Sequence, residues 1–441
     1  MPLRRELGLF SAALVVVGGI IGSGIFFTPA TTAAALPSGA WVIFVWALGG
    51  VVALAGALTY AELGAMLPEA GGPYVYIREA FGALPAFLCA WMTAGLIASG
   101  AIAAVAMGFA GYLSRFVAVD AVGGRLGVAA ITIVALTVTN YLGVRPGVAV
   151  QNVLTVTKIA ALLALILGGL VLVGGPHAAA PVVANAPAAL PLARGFATAF
   201  VAVLFTIGGW QQMNMIAGEI KDPARNIPRA LGIGIGIVIA VYLGVTGAYL
   251  AALGRDGLAA SVAPAADTAA RVAGAGGAGA ALAMTVAAML SILGFVSVAL
   301  LTNARVVFAL GADTPLLRAA ARVHPRFGSP HVALAVLGGW SLMLLFATRG
   351  NIGTLLSGVV FADWIFFSLA AASVFRLRRT RPDAVRPYHA LGYPWLPAFF
   401  VLSGVVGIVS AYASALRMSL FGTALLGVGA VVWWFAGKRT A

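Results

Sequence analysis

Long apolar runs follow one another from one end of this 441-residue chain to the other. A helix needs about 20 apolar residues to cross the hydrocarbon core of a bilayer. The runs at 41–58, 159–173, 231–253 and 396–412 approach or reach that length. Only 9% of the residues are charged, against about 25% in a typical soluble domain. Because lipid requires backbone groups to be bonded within their own segment, the runs predict an all-α membrane protein without a soluble domain.

Glycine, proline and charged residues between the runs divide the chain into about twelve predicted transmembrane helices. Their ranges are 7–35, 41–67, 84–116, 126–142, 149–173, 195–217, 228–253, 278–310, 332–347, 355–375, 396–412 and 420–435. The single cysteine, Cys89, leaves no disulfide framework within the chain.

The net charge of +14 is explained by where the cations lie. Clusters of Lys and Arg fall in alternate loops, and the loops between them hold isolated cations. The clusters are Arg4/Arg5, Arg78, Arg145, Lys221/Arg225/Arg229, Arg318/Arg322/Arg326, Arg376/Arg378/Arg379/Arg381/Arg386 and Lys438/Arg439. Cytoplasmic loops carry the excess of Lys and Arg. The pattern therefore predicts a multi-pass protein of the inner or plasma membrane with both termini in the cytoplasm, and it gives no reason to expect nucleic-acid binding.

Two of the predicted helices are interrupted by glycine at matching places. The first is broken at Gly22-Ser23-Gly24 and the sixth at Gly208-Gly209, each about four turns from its start. Five spans separate the two starts, so the two halves of the chain have opposite orientations. Matched breaks in inverted halves indicate a transporter binding site near the bilayer midplane. The alternative is that these glycines only allow helices to pack closely.

Such a break exposes backbone groups of both polarities. Peptide N–H groups at the start of the second half-helix attract a carboxylate, and carbonyls at the end of the first half-helix, near Ile20, can accept from an ammonium. One break can therefore hold both charges of a zwitterion. The second break, over 205–211, adds free carbonyls and two large rings, Phe205 and Trp210.

An ordered set of motifs resembles the amino acid–polyamine–organocation (APC) superfamily, and within it the bacterial amino acid permeases and the L-type amino acid transporters. The motifs are GGIIGSGIF at 18–26, YAELG at 60–64, GGPYVYI at 71–77, the stretch 205–229 with GEIKDP at 218–223, ARVHPRFGSPH at 321–331 and RPY at 386–388. The resemblance implies a LeuT-like fold with broken helices 1 and 6. Its inverted five-helix repeats would occupy 1–175 and 194–376, followed by two helices in 393–441.

The resemblance also implies a substrate site around Gly22. The substrate carboxylate would lie on the N–H groups of Ser23 and Gly24. Its ammonium would lie on carbonyls of Ile20, Phe205 and Gly208, with Phe205 closing over it from outside. Ile207 and Gln211 stand where the family often has Tyr and Asn, so the contact with the substrate side chain departs from the family pattern.

Three ionisable residues inside predicted spans are candidates for function. The resemblance places the Lys158 ammonium between the first and eighth helices, where sodium lies in sodium-coupled relatives, and so implies sodium-independent transport. A buried amine can also carry a proton, and the alternative is that Lys158 reaches the cytoplasmic interface. Asp363 is expected to face a polar or cationic substrate or to take up a proton. The alternative is a hydrogen bond to a neighbouring helix. Glu62 is expected at the cytoplasmic end of the second span, as a gate or loop partner.

These features predict a secondary transporter of L-amino acids working by exchange or proton coupling. Phe205, Ile207 and the small residues Ala94 and Ser99 suggest a neutral side chain, whereas Asp363 favours cationic amino acids or polyamines as the alternative. The four histidines are scattered without metal-ligand spacing, so no cofactor, metal or enzyme activity is expected. A channel would need a ring of polar or charged residues along a pore, and the sequence shows none. A channel or a non-transporting sensor is therefore the remote alternative. A homodimer is a possible assembly, and a heavy-chain partner, used by L-type relatives in animals, is not expected.

Overall fold

The computed structural model describes residues 5–114, 116–173, 188–414 and 416–437. Arg4, Lys438 and Arg439 lie outside the described residues, as do the last residues of the predicted units 1–175 and 393–441. The described chain is helical throughout, and its only β-type pairing is an isolated bridge between Leu7 and Ile220. The all-α prediction is therefore confirmed for this part of the molecule.

Seventeen α-helices occur in the described chain. In the first half they are α1 Leu9–Ile20, α2 Thr28–Ala35, α3 Gly39–Met66, α4 Pro73–Phe81, α5 Ala83–Met92, α6 Ala98–Leu113, α7 Gly124–Tyr141 and α8 Val144–Val173. In the second half they are α9 Leu192–Thr206, α10 Gln212–Met215, α11 Pro223–Ala260, α12 Pro264–Ala273, α13 Gly277–Asp313, α14 His331–Ala347, α15 Ile352–Thr380, α16 Trp395–Ser414 and α17 Leu416–Gly437.

Seven helical segments among the described residues are long and apolar enough to cross a bilayer. They are Gly39–Met66, Ala83–Leu113, Gly124–Tyr141, Gly147–Leu170, Pro223–Ala260, Pro264–Asp313 and Trp395–Tyr412. Shorter apolar helices include Leu9–Ile20 and Leu192–Thr206, which are the first parts of the two predicted broken spans. The chain is thus an integral membrane protein.

Local sequence signals set several helix ends. The Ser38 side chain accepts a hydrogen bond of 3.4 Å from the Trp41 amide and so caps α3. Pro73 stands in the first turn of α4, where its missing N–H costs no hydrogen bond. Gly82, with a φ of 92°, ends α4 in a conformation that suits glycine and leads directly into α5.

Two helices, α4 and α12, were not predicted. Each has only nine or ten residues, too few to span a bilayer, and each carries charged residues. Neither helix forms a long apolar run, so 68–83 and 254–277 fall between the predicted spans. The structure shows instead that α4 packs beside α15 and that α12 leads into α13.

The first part of the broken span, α1, lies at the centre of the bundle. It packs against α8, α11 and α13, and its residues from Ala12 to Ile20 are all buried. This arrangement places the end of α1 deep inside the protein, surrounded by helices from both halves of the chain.

Candidate functional site

The first break lies where glycine predicted it. Helix α1 ends at Ile20, a single 3₁₀ turn covers Gly24–Phe26, and α2 begins at Thr28. Within the described residues, the backbone N–H groups of Ser23 and Gly24 have no hydrogen-bond acceptor. Backbone donors inside a protein are almost always paired, so these two are open to a ligand.

The second break follows the end of α9 at Thr206. Gly209 has a φ of 107°, a backbone conformation that favours glycine, and α10 starts at Gln212. The side-chain Oε1 of Gln211 accepts a hydrogen bond of 3.0 Å from the Gly209 N–H. Gln211 therefore stabilises the break itself, and its side-chain oxygen already has a backbone partner.

The two breaks touch each other backbone to backbone. A methyl group on Gly209 would lie 2.2 Å from the carbonyl oxygen of Gly19, and one on Gly19 would lie 2.8 Å from that of Gly209. Both distances are too short for any side chain. The close approach of these two backbone segments thus requires glycine at both positions.

A central cavity of about 100 Å³ lies beside the two breaks. Eight of the residues predicted from the sequence line it: Ile20, Gly22, Ser23, Gly24, Phe205, Gly208, Gln211 and Asp363. Ile207 is buried but does not line the cavity. The cavity extends past the breaks to Tyr74 and Met215. One buried water needs about 10–15 Å³ of such space, so there is room for a small organic molecule.

The carbonyls predicted to hold an ammonium differ in how far they are already used. A carbonyl has two lone pairs, and that of Ile20 accepts from both the Gly22 N–H at 2.8 Å and the Tyr242 hydroxyl at 3.0 Å. The carbonyl of Phe205 accepts a long bond of 3.4 Å from the Gly208 N–H, and the Ile207 N–H is shared between it and the Val203 carbonyl. The carbonyl of Gly208 has no donor among the described residues. In this conformation the free acceptors therefore belong to the second break and not to Ile20.

Lys158, on α8, is fully buried beside the first break. Its ammonium donates to the carbonyl of Gly18 at 3.2 Å and to the carbonyl of Ile21. From α13, the Ser291 hydroxyl donates to the Gly22 carbonyl at 2.9 Å. The lysine therefore does not reach a membrane interface, and it is part of the network that fixes the end of α1. It does not line the cavity itself.

Asp363, on α15, lines the cavity on the side of α5, together with Cys89 and Thr93. It has no hydrogen-bond or ion-pair partner among the side chains that the structure describes. The Thr93 hydroxyl is already committed to the Cys89 carbonyl at 2.8 Å. The hydrogen bond to a neighbouring helix, which the sequence left open for Asp363, is thus not found in the described part of the chain.

Comparison with known proteins agrees with this architecture. Residues 7–436 match the amino acid permease family. The serine/threonine exchanger SteT of Bacillus subtilis (strain 168) is 29% identical over 412 residues, which are 92% of each chain. The large neutral amino acids transporter small subunit 2 of Mus musculus is 32% identical over 88% of this chain and 73% of its own. The b(0,+)-type amino acid transporter 1 of the same species is 31% identical over 87% and 78%.

The chain belongs to the amino acid permease family. It is therefore a member of the APC superfamily, as its motifs indicated, and a permease rather than an enzyme. The matched residues, 7–436, include both breaks and every residue that lines the cavity.

In this permease Glu62 lies away from the cavity. It is buried on α3, and its carboxylate forms two hydrogen bonds with Arg378 at 2.9 and 2.6 Å. It also lies 3.6 Å from Arg386 and accepts from the Ala390 amide at 2.7 Å. Glu62 therefore joins α3 to the end of α15 and to the loop that follows.

A second buried ion pair lies at the same end of the permease. The Arg305 guanidinium on α13 contacts the Glu219 carboxylate at 2.6 Å, and both side chains are buried. The backbone carbonyl of Glu219 accepts from the amides of Glu6 and Leu7, each at 2.9 Å. The pair thus connects α13 with the segment after the second break and with the start of the chain. We call the end of the molecule that carries these pairs the basic end.

The third predicted span lines the cavity with residues other than those suggested from the sequence. Ala94 and Ser99 do not line the cavity, whereas Thr93, Ile97 and Ala98 do. The segment Thr93–Ile97 between α5 and α6 is π-helical. The Ser99 hydroxyl is turned back to the Ala94 carbonyl at 2.6 Å.

Sequence reasoning missed several residues of the site. Tyr242 and Ser291 hold carbonyls of the first break, and Cys89 and Thr93 line the cavity. A hydroxyl within an apolar helix is a weak signal, since it can bond to its own backbone. The packing of α11 and α13 against α1 brings the hydroxyls of Tyr242 and Ser291 to these carbonyls.

Proposed function

We propose that the chain is a sodium-independent secondary transporter of L-amino acids that binds its substrate in the central cavity and works by alternating access. The observation that carries the proposal is the meeting of the two breaks at this cavity, where the donors of Ser23 and Gly24 and the acceptor of Gly208 have no partner among the described residues. A zwitterion needs both kinds of group at close range. The names of the relatives, which are transporters of amino acids, support the same reading.

In this proposal the substrate carboxylate binds to the N–H groups of Ser23 and Gly24. The ammonium binds to the carbonyls of Gly208 and Phe205. Ile20 takes part once the hydroxyl of Tyr242 has moved away from its carbonyl. Gln211 keeps the second break in shape, and its amide nitrogen is left for the substrate.

Lys158 supports transport without sodium. Its ammonium already occupies the carbonyls of Gly18 and Ile21, where it places a positive charge at the end of α1. A metal cation there would be repelled by the lysine and would lack those two ligands. These contacts are compatible with transport by amino acid exchange and with transport coupled to a proton.

The finer architecture is also part of the proposal. Twelve transmembrane helices would form two inverted repeats, 1–175 and 194–376, followed by two helices in 393–441. Two interrupted helices that meet at one cavity support this arrangement. Arginines concentrated at the basic end favour a cytoplasmic position for that end and for both termini, in an inner or plasma membrane. We propose that the chain transports without a heavy-chain partner, as a monomer or homodimer.

The substrate side chain would lie against Ile97, Phe295 and Trp364, which line the cavity with Phe205. These apolar walls favour a small neutral amino acid. Asp363 supports a second candidate, a cationic amino acid, because its carboxylate faces the cavity without a partner among the described side chains. A polyamine has no carboxylate to use the donors at Ser23 and Gly24, and it is the weaker form of this alternative.

The substitution Asp363→Asn separates the two candidates. If the substrate is cationic, we expect competition by lysine or arginine to weaken by about 10- to 100-fold, since a hydrogen bond to a charged group contributes about 1.5–3 kcal/mol. Competition by neutral amino acids should change little. The measurement is inhibition of labelled substrate uptake by each amino acid. Equal competition by lysine in both proteins would leave the neutral substrate as the supported one.

Counterflow in proteoliposomes containing only this chain tests the proposed function. An internal unlabelled amino acid should drive saturable accumulation of the labelled one, which a channel cannot produce. The same substrate should protect Cys89, the only cysteine of the chain, from a small thiol reagent, because Cys89 lines the cavity.

Two controls accompany this experiment. Cys89→Ser should abolish labelling and retain counterflow, and the decarboxylated amine of the substrate should compete far less well than the amino acid. Equal affinity of the amine would contradict binding of a zwitterion. Labelling of Cys89 unaffected by a transported amino acid would place the substrate elsewhere.

A further inference from the structure

A groove at the basic end lies between the C-terminal parts of α4 and α15. It is separate from the central cavity and has a volume of about 350 Å³. Its walls are Phe81, Ala372, Phe375, Arg376, Arg379 and Thr380. Apolar side chains line one part and two guanidinium groups the other, at the place where the apolar sequence of α15 gives way to arginine.

The arginines around this groove fall into two groups. Arg378 and Arg386 lie beside the Glu62 carboxylate, and Arg381 contacts Glu79 at 2.6 Å. Arg376 and Arg379 are exposed and have no carboxylate partner among the described residues. Among the described residues, two positive charges of the groove therefore have no carboxylate partner, whereas Glu62 on α3 and Glu79 on α4 pair with Arg378 and Arg381.

The guanidinium of Arg376 is held in place without an anion. It lies 5.7 Å from the centre of the Phe81 ring, within the range of a cation–π contact. The Thr380 hydroxyl donates to the Arg376 carbonyl at 3.0 Å, so its proton is already used within the helix. The polar part of the groove thus offers donors from two arginines.

We propose that this groove binds the phosphate group of an anionic glycerophospholipid. A guanidinium can bond a phosphate through two parallel N–H groups, and Arg376 and Arg379 supply two such groups. Phe81, Phe375 and Ala372 supply an apolar wall for the first part of an acyl chain. A free phosphate ion would use the arginines alone, whereas a lipid uses both parts of the groove.

The groove also touches the element that leads to the central cavity. Phe81 is the last residue of α4, and Pro73 and Tyr74, its first two residues, line that cavity. A lipid bound at Phe81 and Arg376 would hold α4 against α15. Lipid occupancy would therefore change the rate of the conformational step in the proposed transport cycle. The binding site itself does not depend on that proposal.

Lipid binding to the purified full-length chain tests the site. We expect native mass spectrometry to detect retained phosphatidylglycerol and the midpoint of thermal unfolding to rise more with phosphatidylglycerol than with phosphatidylcholine. The double variant Arg376→Gln/Arg379→Gln should bind phosphatidylglycerol about 30-fold more weakly, which is about fivefold for each arginine near an anionic lipid surface. Phe81→Ala should also weaken binding, although it leaves both charges in place.

The matched control is Arg318→Gln/Arg322→Gln, which removes the same charge from two exposed arginines that follow α13. It should bind phosphatidylglycerol like the unmodified protein. An equal loss in the control, or no loss in the groove variants, would overturn the proposal. Stabilisation by inorganic phosphate equal to that by phosphatidylglycerol would overturn the lipid assignment in favour of a free anion. Because binding is measured without transport, failure of this site and failure of the transport proposal are distinguishable.

Discussion

The substitution Lys158→Ala is expected to lower the initial rate of amino acid uptake by about a hundredfold. The ammonium donates to the carbonyls of Gly18 and Ile21, and each hydrogen bond from a charged group contributes about 1.5–3 kcal/mol. Without it the end of α1 loses a fixed position and a positive charge. Uptake of labelled substrate into proteoliposomes, measured across a pH series, is the readout.

Two variants separate the charge from other effects of this change. Lys158→Met keeps most of the side-chain bulk and removes the ammonium, so it should behave like the alanine variant if the charge matters. Lys221→Ala removes an exposed lysine and should leave uptake unchanged. Normal uptake with a normal pH profile in Lys158→Ala, in protein that remains monodisperse, would refute a role of this lysine in transport.

The substitution Ser23→Leu is expected to weaken substrate binding by about a hundredfold or more. The backbone N–H groups of Ser23 and Gly24, beside the cavity, have no acceptor in the part of the chain that the structure describes. A carboxylate would lose hydrogen bonds of about 1.5–3 kcal/mol each if it could not approach them. A leucine side chain would occupy that space. Equilibrium binding of labelled amino acid to the purified protein measures the effect without requiring transport.

The matched control is Ser23→Ala at the same position. Because the proposed contact uses the peptide N–H and not the hydroxyl, alanine should keep affinity within about threefold, well under the contribution of one such hydrogen bond. Ile207→Val, beside the second break but outside the cavity lining, should also bind normally. Full affinity in Ser23→Leu would mean that the substrate binds elsewhere.

The features that could be predicted from the sequence were those that depend on backbone and composition. Apolar runs indicated the membrane helices, and glycines indicated both breaks. At the second break Gly209 adopts a backbone conformation that few other residues can. Lys158 was conspicuous because it is a charged residue within an apolar span. Eight of the nine residues proposed to bind substrate line the cavity, since most lie within the breaks themselves.

The features that could not be predicted depend on contacts between distant parts of the chain. The hydroxyl of Tyr242 bonds the carbonyl of Ile20 across 222 positions, and Glu62 bonds Arg378 across 316. No local pattern signals either pair. The inward face of the third predicted span was likewise not visible in the sequence: Thr93, Ile97 and Ala98 line the cavity, and Ala94 and Ser99 do not.

The contact between Gly19 and Gly209 has a mechanical consequence for a transport cycle of the proposed kind. Backbone meets backbone there, with a hypothetical methyl group only 2.2 Å from the opposing oxygen, so no deformable side chain lies between the breaks to absorb a displacement. When one interrupted helix tilts toward the other, the second must tilt or slide with it. Two joints that could have moved separately are thereby reduced to a single degree of freedom.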